Sequence, residues 1–278
     1  MRRTSIAALL ALATLASCDY VEFPDNTATG GEPPLDGPAR KVLLEDLTGH
    51  TCNNCPAATD VALGLHALYG EDLIIVGVHA SSFADPAAPP FETDFRTVAG
   101  EEYITTFGVN SLPAGLVSRR PFSGSIIVGD GNWGSAVAEI INTAAEAEVI
   151  FDAVSYDTGT NTVSMTVKVV PVVDLTGDHN LTIYLTEDSV VDAQIDNRVS
   201  PPNVLDYLHR HVLRGNVNST WGETVVTGSA AAGDTITVTH DYVLPANVLV
   251  PAQCGLVAYL YRTDNYEVLQ AEEAKIEP

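Results

Sequence analysis

The fold of this chain is decided by residues 41–56, which read KVLLEDLTGHTCNNCP. Residues 41–46 form a short apolar run that predicts a buried strand. A C-x-x-C pair follows, and Pro56 stands where a helix would begin, because proline is favoured in the first helical turn. Apolar residues at helical spacing predict a helix over residues 56–69, which Gly70 ends.

A second buried strand is predicted at residues 73–78, which read LIIVGV. A strand, a helix and a strand in succession predict a βαβ unit with parallel strands. Further predicted elements are a partly helical segment at 91–107, strands at 116–117 and 125–128, and a helix at 133–147. We therefore expect residues 39–149 to form an α/β domain.

The hydrophobic period changes to two after Glu148, which indicates strands that are exposed on one face. The predicted strands are residues 149–154, 163–169, 181–185, 235–239 and 255–261. Short strands separated by turn-forming residues are typical of an immunoglobulin-like β-sandwich. We therefore expect an all-β sandwich over residues 150–278.

The first 38 residues resemble a targeting signal and a tether. Two arginines precede a short apolar run, and Leu15-Ala16-Ser17-Cys18 resembles the bacterial lipobox. The resemblance implies a signal peptide over residues 1–17 and a lipid on the Cys18 thiol, which would anchor the chain to a membrane. An ordinary signal peptide with an incidental cysteine is the alternative. Prolines, glycines and acids in residues 18–38 predict a tether with little apolar surface to bury.

The charge of the chain narrows the classes of partner. It has 36 acidic and 13 basic residues, a net charge of −23, while 46% of its residues are hydrophobic and can build a core. So acidic a surface repels phosphate backbones and anionic head groups, which excludes nucleic acid as a partner. We expect contact with the membrane through the lipid alone. A chain tethered outside the cytoplasm lies in an oxidising compartment, where disulfides persist.

Cys52 and Cys55 stand between a predicted strand and a predicted helix. The N-terminus of a helix stabilises a thiolate, and the spacing lets the second thiol close a disulfide, which together favour a redox-active pair. A structural disulfide is the second interpretation, although so short a loop constrains the unfolded chain little. A zinc site is the third, but no second pair of ligands has suitable spacing.

The same stretch resembles the opening of a thioredoxin-fold protein, and residues 105–113, TTFGVNSLP, resemble the later segment that carries that family's cis-proline. The resemblance implies that Cys52, at the helix start and nearer solvent, is the nucleophile and that Cys55 resolves the mixed disulfide. Asp46 would accept the Cys55 proton, while Leu112 and Pro113 would bind an extended partner beside the sulfurs. The partners would be extracytoplasmic proteins with thiols or disulfides. We expect no cofactor.

Four stretches together resemble the bacterial lipoprotein family related to a 28-kDa outer-membrane protein. They are residues 45–56 (EDLTGHTCNNCP), 208–214 (LHRHVLR), 221–223 (WGE) and 267–275 (EVLQAEEAK). The resemblance implies a thioredoxin-like domain followed by a β-sandwich, lipid-anchored in the cell envelope, at the outer membrane rather than the inner one. Two functions follow. One is a membrane-anchored thiol–disulfide oxidoreductase, and the alternative is an outer-membrane or cell-surface binding lipoprotein whose disulfide is structural.

Other polar residues have simpler interpretations. His209 and His211 would point the same way from one strand, as a metal pair or, more simply, as a polar strand face. Asp174 and Asp178 fit a turn better than a calcium site. Cys254, in an apolar context, is predicted to be a buried free thiol. We therefore expect no metal site.

Overall fold

The computed structural model describes residues 37–276, so Cys18 and the predicted signal peptide lie outside the described residues. It confirms the strand, helix and strand that the first stretch predicts: β1 (Val42–Thr48), α1 (Cys55–Tyr69) and β2 (Leu73–His79). The two strands pair in parallel along their whole length. Pro56 lies in the first turn of α1, and Gly70 ends the helix with a φ of 60°, which glycine adopts without strain.

The predicted segment 91–107 is helical only in its second part. This helix, α2 (Val98–Phe107), begins where the Thr97 hydroxyl accepts a hydrogen bond from the Gly100 N–H. Two short strands follow, β3 (Ala114–Val117), antiparallel to β1, and β4 (Ile127–Val128).

The helix predicted at 133–147 is wrong in its length. The structure ends α3 (Trp133–Ala138) early and begins the next strand at Ala147. Between them Asn142 has a φ of 62°, in the left-handed region that a continuous α-helix does not contain. The side chains of Ile140 and Ile141 are buried even so, which accounts for the helical spacing in the sequence.

Strands dominate from Ala147 onward, and each of the five stretches predicted there overlaps a strand. In order they are β5 (Ala147–Asp157), β6 (Thr162–Pro171), β7 (Leu175–Thr176), β8 (His179–Glu187), β9 (Val190–Ile195), β10 (Asn203–His209), β11 (Val212–Asn216), β12 (Glu223–Val226), β13 (Ser229–Ala230), β14 (Ile236–Val243), β15 (Cys254–Arg262) and β16 (Val268–Lys275). Buried and partly exposed residues alternate along β6, as the period of two requires.

One large sheet crosses the predicted boundary at 149–150, which falls inside β5. Its strand order is β16-β15-β8-β11-β2-β1-β3-β4, and β12 also pairs with β8. The two halves meet where Val212 of β11 pairs in parallel with Gly77 of β2. A Cβ on Gly77 would lie 3.1 Å from the Arg210 carbonyl oxygen, so glycine permits this close approach. Three strands form a separate sheet in the order β14-β6-β5.

A fully buried ion pair in the first half also contacts tyrosines of the second half. Arg119, which follows β3, donates two hydrogen bonds of 2.8 Å to the carboxylate of Glu45 on β1. The same guanidinium donates to the hydroxyls of Tyr184 on β8 and Tyr259 on β15, at 2.9 and 3.0 Å. It lies 4.7 Å from the ring centroid of Tyr103 on α2. Residues from both sides of the predicted boundary therefore share one buried polar network.

Candidate functional site

Cys52 and Cys55 form a disulfide at the start of α1. Cys55 is the first residue of the helix, whereas Cys52 lies in the turn before it. Both are buried, with 2% and 1% of their surface exposed. Cys52 therefore lies three residues before the first residue of α1 and not at it, whereas its predicted position nearer to solvent stays a prediction.

The hairpin of β9 and β10, residues 190–209, lies against the loop that carries Cys52, and we call this hairpin the strap. The strap forms its own two-stranded sheet and attaches to the loop at residues 49–53. The Gln194 amide donates to the Cys52 carbonyl at 3.0 Å. The Ile195 N–H donates to the His50 carbonyl at 2.9 Å. These bonds fix the strap against the loop that carries Cys52, a residue that is itself buried.

Two further contacts fasten the end of the strap. The Asn197 N–H donates to the Asn53 carbonyl at 3.3 Å. Arg198, also in the strap, pairs with Asp60 on α1 at 2.5 Å. This pair is largely exposed and contributes little by itself, since exposed ion pairs are worth about 0–1 kcal/mol.

Asp46 lies buried on β1 beneath this site. The Thr59 hydroxyl on α1 donates to its Oδ2 at 3.0 Å, and Oδ1 has no hydrogen-bond partner within the described residues. Burial raises the pKa of the Asp46 carboxyl to about 7, because the charged form loses its hydration. Asp46 and Pro56 line one small cavity of about 20 Å³, which is large enough for one water molecule.

Two buried histidines line the same cavity. His79 Nε2 on β2 lies 3.3 Å from His209 Nδ1 on the strap, and each residue is 3% exposed. The prediction that His209 and His211 point the same way from one strand is wrong. The strand β10 ends at His209, and His211 has a φ of 51°.

Leu112 and Pro113 are half-buried and lie immediately before β3. The peptide bond between them is cis. Leu112 packs against the core of the large sheet, beside α2 and β15. Their predicted role in binding an extended partner remains a prediction.

The other candidate residues behave as structural groups. Asp174 and Asp178 accept hydrogen bonds from the backbone N–H groups of Ala232 and Gly228, as turn residues do. Cys254 is a buried free thiol, and burial raises its pKa to about 12. Among residues 37–276, no three histidine, cysteine or acidic side chains converge as a metal site. None of the helices in that range is long and apolar enough to cross a membrane.

An open polar cleft lies near the His211 side of the strap. It has a volume of about 540 Å³ and draws on both halves of the sequence. Its charged and ionisable lining includes Lys41, His66, Asp188, His211, Glu272 and Glu273. The rings of His66 and His211 stand 6.1 Å apart, centroid to centroid. The cleft is therefore a polar concavity whose lining carries side chains of both charges.

Sequence reasoning missed residues that bond to the loop of the disulfide or line the small cavity beside α1. Gln194 and His79 lie far from the cysteines along the chain and belong to no motif. Glu45 left a usable signal, because two adjacent acids interrupt an apolar strand and a buried carboxylate needs a cation. Arg119 followed by Arg120 offered the matching cation.

Comparisons with known proteins identify a family and similar solved structures. Residues 100–278 match the protein family described as Outer membrane protein Omp28. HBP35 of Porphyromonas gingivalis shares the fold, with a TM-score of 0.64 at 18% identity over 86% of this chain and 76% of that chain. A domain of the outer membrane lipoprotein Omp28 from the same organism matches with a TM-score of 0.31 at 23% identity, over 49% of this chain and 92% of its own. None of the curated proteins matches the sequence of this chain.

Proposed function

Because this chain belongs to the Omp28 family of outer membrane proteins, we propose that it is a binding lipoprotein whose Cys52–Cys55 disulfide is structural. The family is one of lipid-anchored outer-membrane proteins, so the chain resides in the cell envelope at the outer membrane. The acidic sequence supports anchoring through lipid at Cys18 rather than through charge, since an anionic membrane surface would repel it.

The burial of both sulfurs carries this proposal. A catalytic cysteine has to meet the disulfide or thiol of its partner, and reactive cysteines lie in partially exposed surroundings. Cys52 and Cys55 are each at most 2% exposed, and the strap is hydrogen-bonded to the carbonyls of the loop around them. Such a bridge ties the start of α1 to the preceding turn. The polar cleft of about 540 Å³ is the surface that we propose for a ligand.

A glutathione titration of the full chain tests the structural role. We expect a reduction potential below about −300 mV, the range of structural disulfides, whereas a catalytic pair would lie between about −120 and −270 mV. Peptide mapping by mass spectrometry would follow Cys52 and Cys55 separately from Cys254. A potential inside the catalytic range would refute the structural assignment.

We keep the oxidoreductase as a second candidate because of Asp46. A buried carboxyl with a pKa of about 7, in a cavity shared with the residue after Cys55, suits a proton acceptor at neutral pH. Its partners would be extracytoplasmic proteins with thiols or disulfides. In that case Cys55→Ser would trap mixed disulfides through Cys52, and Cys52→Ser would not. Equal trapping by both variants, or none, would eliminate this candidate.

We also propose that the first part of the chain has a thioredoxin-like arrangement, followed by an immunoglobulin-like sandwich. The parallel β1 and β2, the C-x-x-C pair at α1 and the antiparallel β3 support the first part. The three-stranded sheet β14-β6-β5 supports the second. An experimental structure with independent superposition of each part would test this assignment.

A further inference from the structure

The strap is in contact with the large sheet through a pair of histidines. His209 belongs to the strap and His79 to β2, and their facing nitrogens are 3.3 Å apart. The ring of Phe95 lies against both, with centroids 4.7 Å from His79 and 4.8 Å from His209. The contact is therefore an apolar enclosure around one nitrogen-to-nitrogen hydrogen bond.

This enclosure suits two neutral imidazoles and no cation. A hydrogen bond between His79 Nε2 and His209 Nδ1 needs one nitrogen to carry a hydrogen and the other to accept it. The outer nitrogens, His79 Nδ1 and His209 Nε2, have no well-formed hydrogen bond within the described residues, although the backbones of Gly77 and Ala193 favour the charged rings to a lesser extent than burial opposes them. Burial lowers the pKa of His79 well below its usual value and that of His209 to about 4.

The charged groups that face the pair do not stabilise a protonated imidazole there. Asp192 on the strap favours the charged form of His209, but its oxygens already accept from the Thr93 hydroxyl and the Ala193 N–H. Arg214 on β11 opposes it and is paired with Glu187. The remaining ionisable groups around the pair or its cavity are His50, Asp46, Tyr207, Arg210 and His211.

We propose that the strap is a pH-sensitive cover: protonation of the His79–His209 pair in mildly acidic surroundings releases residues 190–209 and exposes the Cys52–Cys55 disulfide. Protonating both rings would set two N–H groups against each other inside an apolar enclosure. Opening the strap removes that conflict by hydrating both rings. This device governs access to the bridge and does not depend on the bridge's reduction potential.

The size of the effect follows from proton linkage. A histidine with a pKa of about 4 when covered and about 6.5 when hydrated favours opening about 20-fold between pH 7 and pH 5. Asp46 acts in the opposite sense, because its carboxyl is easier to protonate when buried. Full hydration of Asp46 on opening would favour closure about 50-fold over the same range. Burial also disfavours a proton on His79 and so adds to the opening, which lets the two histidines together outweigh the one carboxyl.

The test measures how fast the phosphine TCEP reduces the disulfide in the full chain. Rapid alkylation and peptide mapping would measure how much of Cys52 and Cys55 has been reduced at each time. The reduction rate of a short disulfide peptide at each pH would correct for the change in reactivity of TCEP itself. We expect the protection of the bridge to fall from pH 7 to pH 5, and to fall by at least about 20-fold in Asp46→Asn, where the opposing carboxyl is absent. Protection that is independent of pH in both proteins would overturn the proposal.

Histidine variants identify the responsible groups. We expect His209→Gln to lower the pH dependence about 20-fold in the Asp46→Asn background and His79→Gln to lower it as well. His240→Gln, on β14, should leave it unchanged. Hydrogen exchange in the wild-type chain provides a readout that needs no variant to fold. Residues 190–209 should lose protection at pH 5 while β15 keeps its protection. An equal loss of protection in both segments would indicate global unfolding and would refute the proposed opening of the strap.

Discussion

The buried ion pair offers the sharpest test of how this molecule is held together. We expect Arg119→Met to lower the free energy of unfolding by about 3–5 kcal/mol, the usual cost of leaving one charge of a buried pair without its partner. Glu45 is fully buried and would keep only the Tyr184 hydroxyl, at 2.7 Å, as a partner. Because a protein of this size loses about 2–4 °C per kcal/mol, the melting temperature should fall by about 6–20 °C.

Urea unfolding followed by tryptophan fluorescence measures this loss. Trp133 packs beside β3 and Trp221 beside α2, so the two indoles report on different core clusters. We expect one transition for both, because the ion pair and the large sheet join the halves of the chain. The double variant Glu45→Leu with Arg119→Met removes both charges together. It should cost at least about 2 kcal/mol less than the sum of the two single variants.

A matched surface pair is the control. Lys168 and Asp152 form an exposed ion pair at 2.6 Å, so Lys168→Met should change stability by less than about 1 kcal/mol. If Arg119→Met cost no more than Lys168→Met, the buried pair would not hold the halves together. Strict additivity in the double variant, or separate transitions for the two halves, would contradict the reasoning in the same way.

Two further predictions concern single side chains. The pKa of Asp46 is raised to about 7, so the folded state loses stability as pH rises from about 4 to 7; Asp46→Asn should therefore stabilise the protein by about 4 kcal/mol at pH 8 and little at pH 4, measured by urea unfolding. A Cβ on Gly115 would lie 2.3 Å from Trp133 Nε1, so Gly115→Ala should cost about 1–3 kcal/mol in thermal unfolding. Gly64→Ala, in α1 with open space around it, should instead stabilise by about 0.5–1 kcal/mol; stabilisation by both alanines would contradict the argument.

Local patterns predicted the elements that depend on local forces. The apolar run of β1, the proline and glycine at the ends of α1 and the period of two in β6 each reflect interactions within a few residues. The continuity of the sheet could not be predicted in this way. The pairing of Val212 with Gly77 joins strands that are distant in sequence, and hydrophobic period does not identify the neighbour of a strand.

The sequence predicted which residues form the disulfide site, but it did not predict how deeply the two cysteines are buried. The cysteine spacing indicated that a disulfide could close, and the resemblance pointed to Asp46 as an acid near it. The environment of Cys52 depends on Gln194, which lies 142 residues away. The sequence of the strap does not alternate clearly between apolar and polar residues, so it did not predict two strands. The pairing shifts register between Val204 and Tyr207, and the apolar residues Leu205 and Val191 are exposed.

The residues that lead into β1 are hydrogen-bonded to β16, the last strand, and this has a consequence for how the chain folds during synthesis. The Arg40 guanidinium donates to the Val268 carbonyl, and the Lys41 N–H donates to the Gln270 side chain at 2.7 Å. These groups are separated by about 230 residues, so the body cannot close until almost the whole polypeptide has emerged from the secretion channel. Contacts of such long range form slowly and leave strand edges open to aggregation. The residues that lead into β1 therefore lack these partners until β16 has been made.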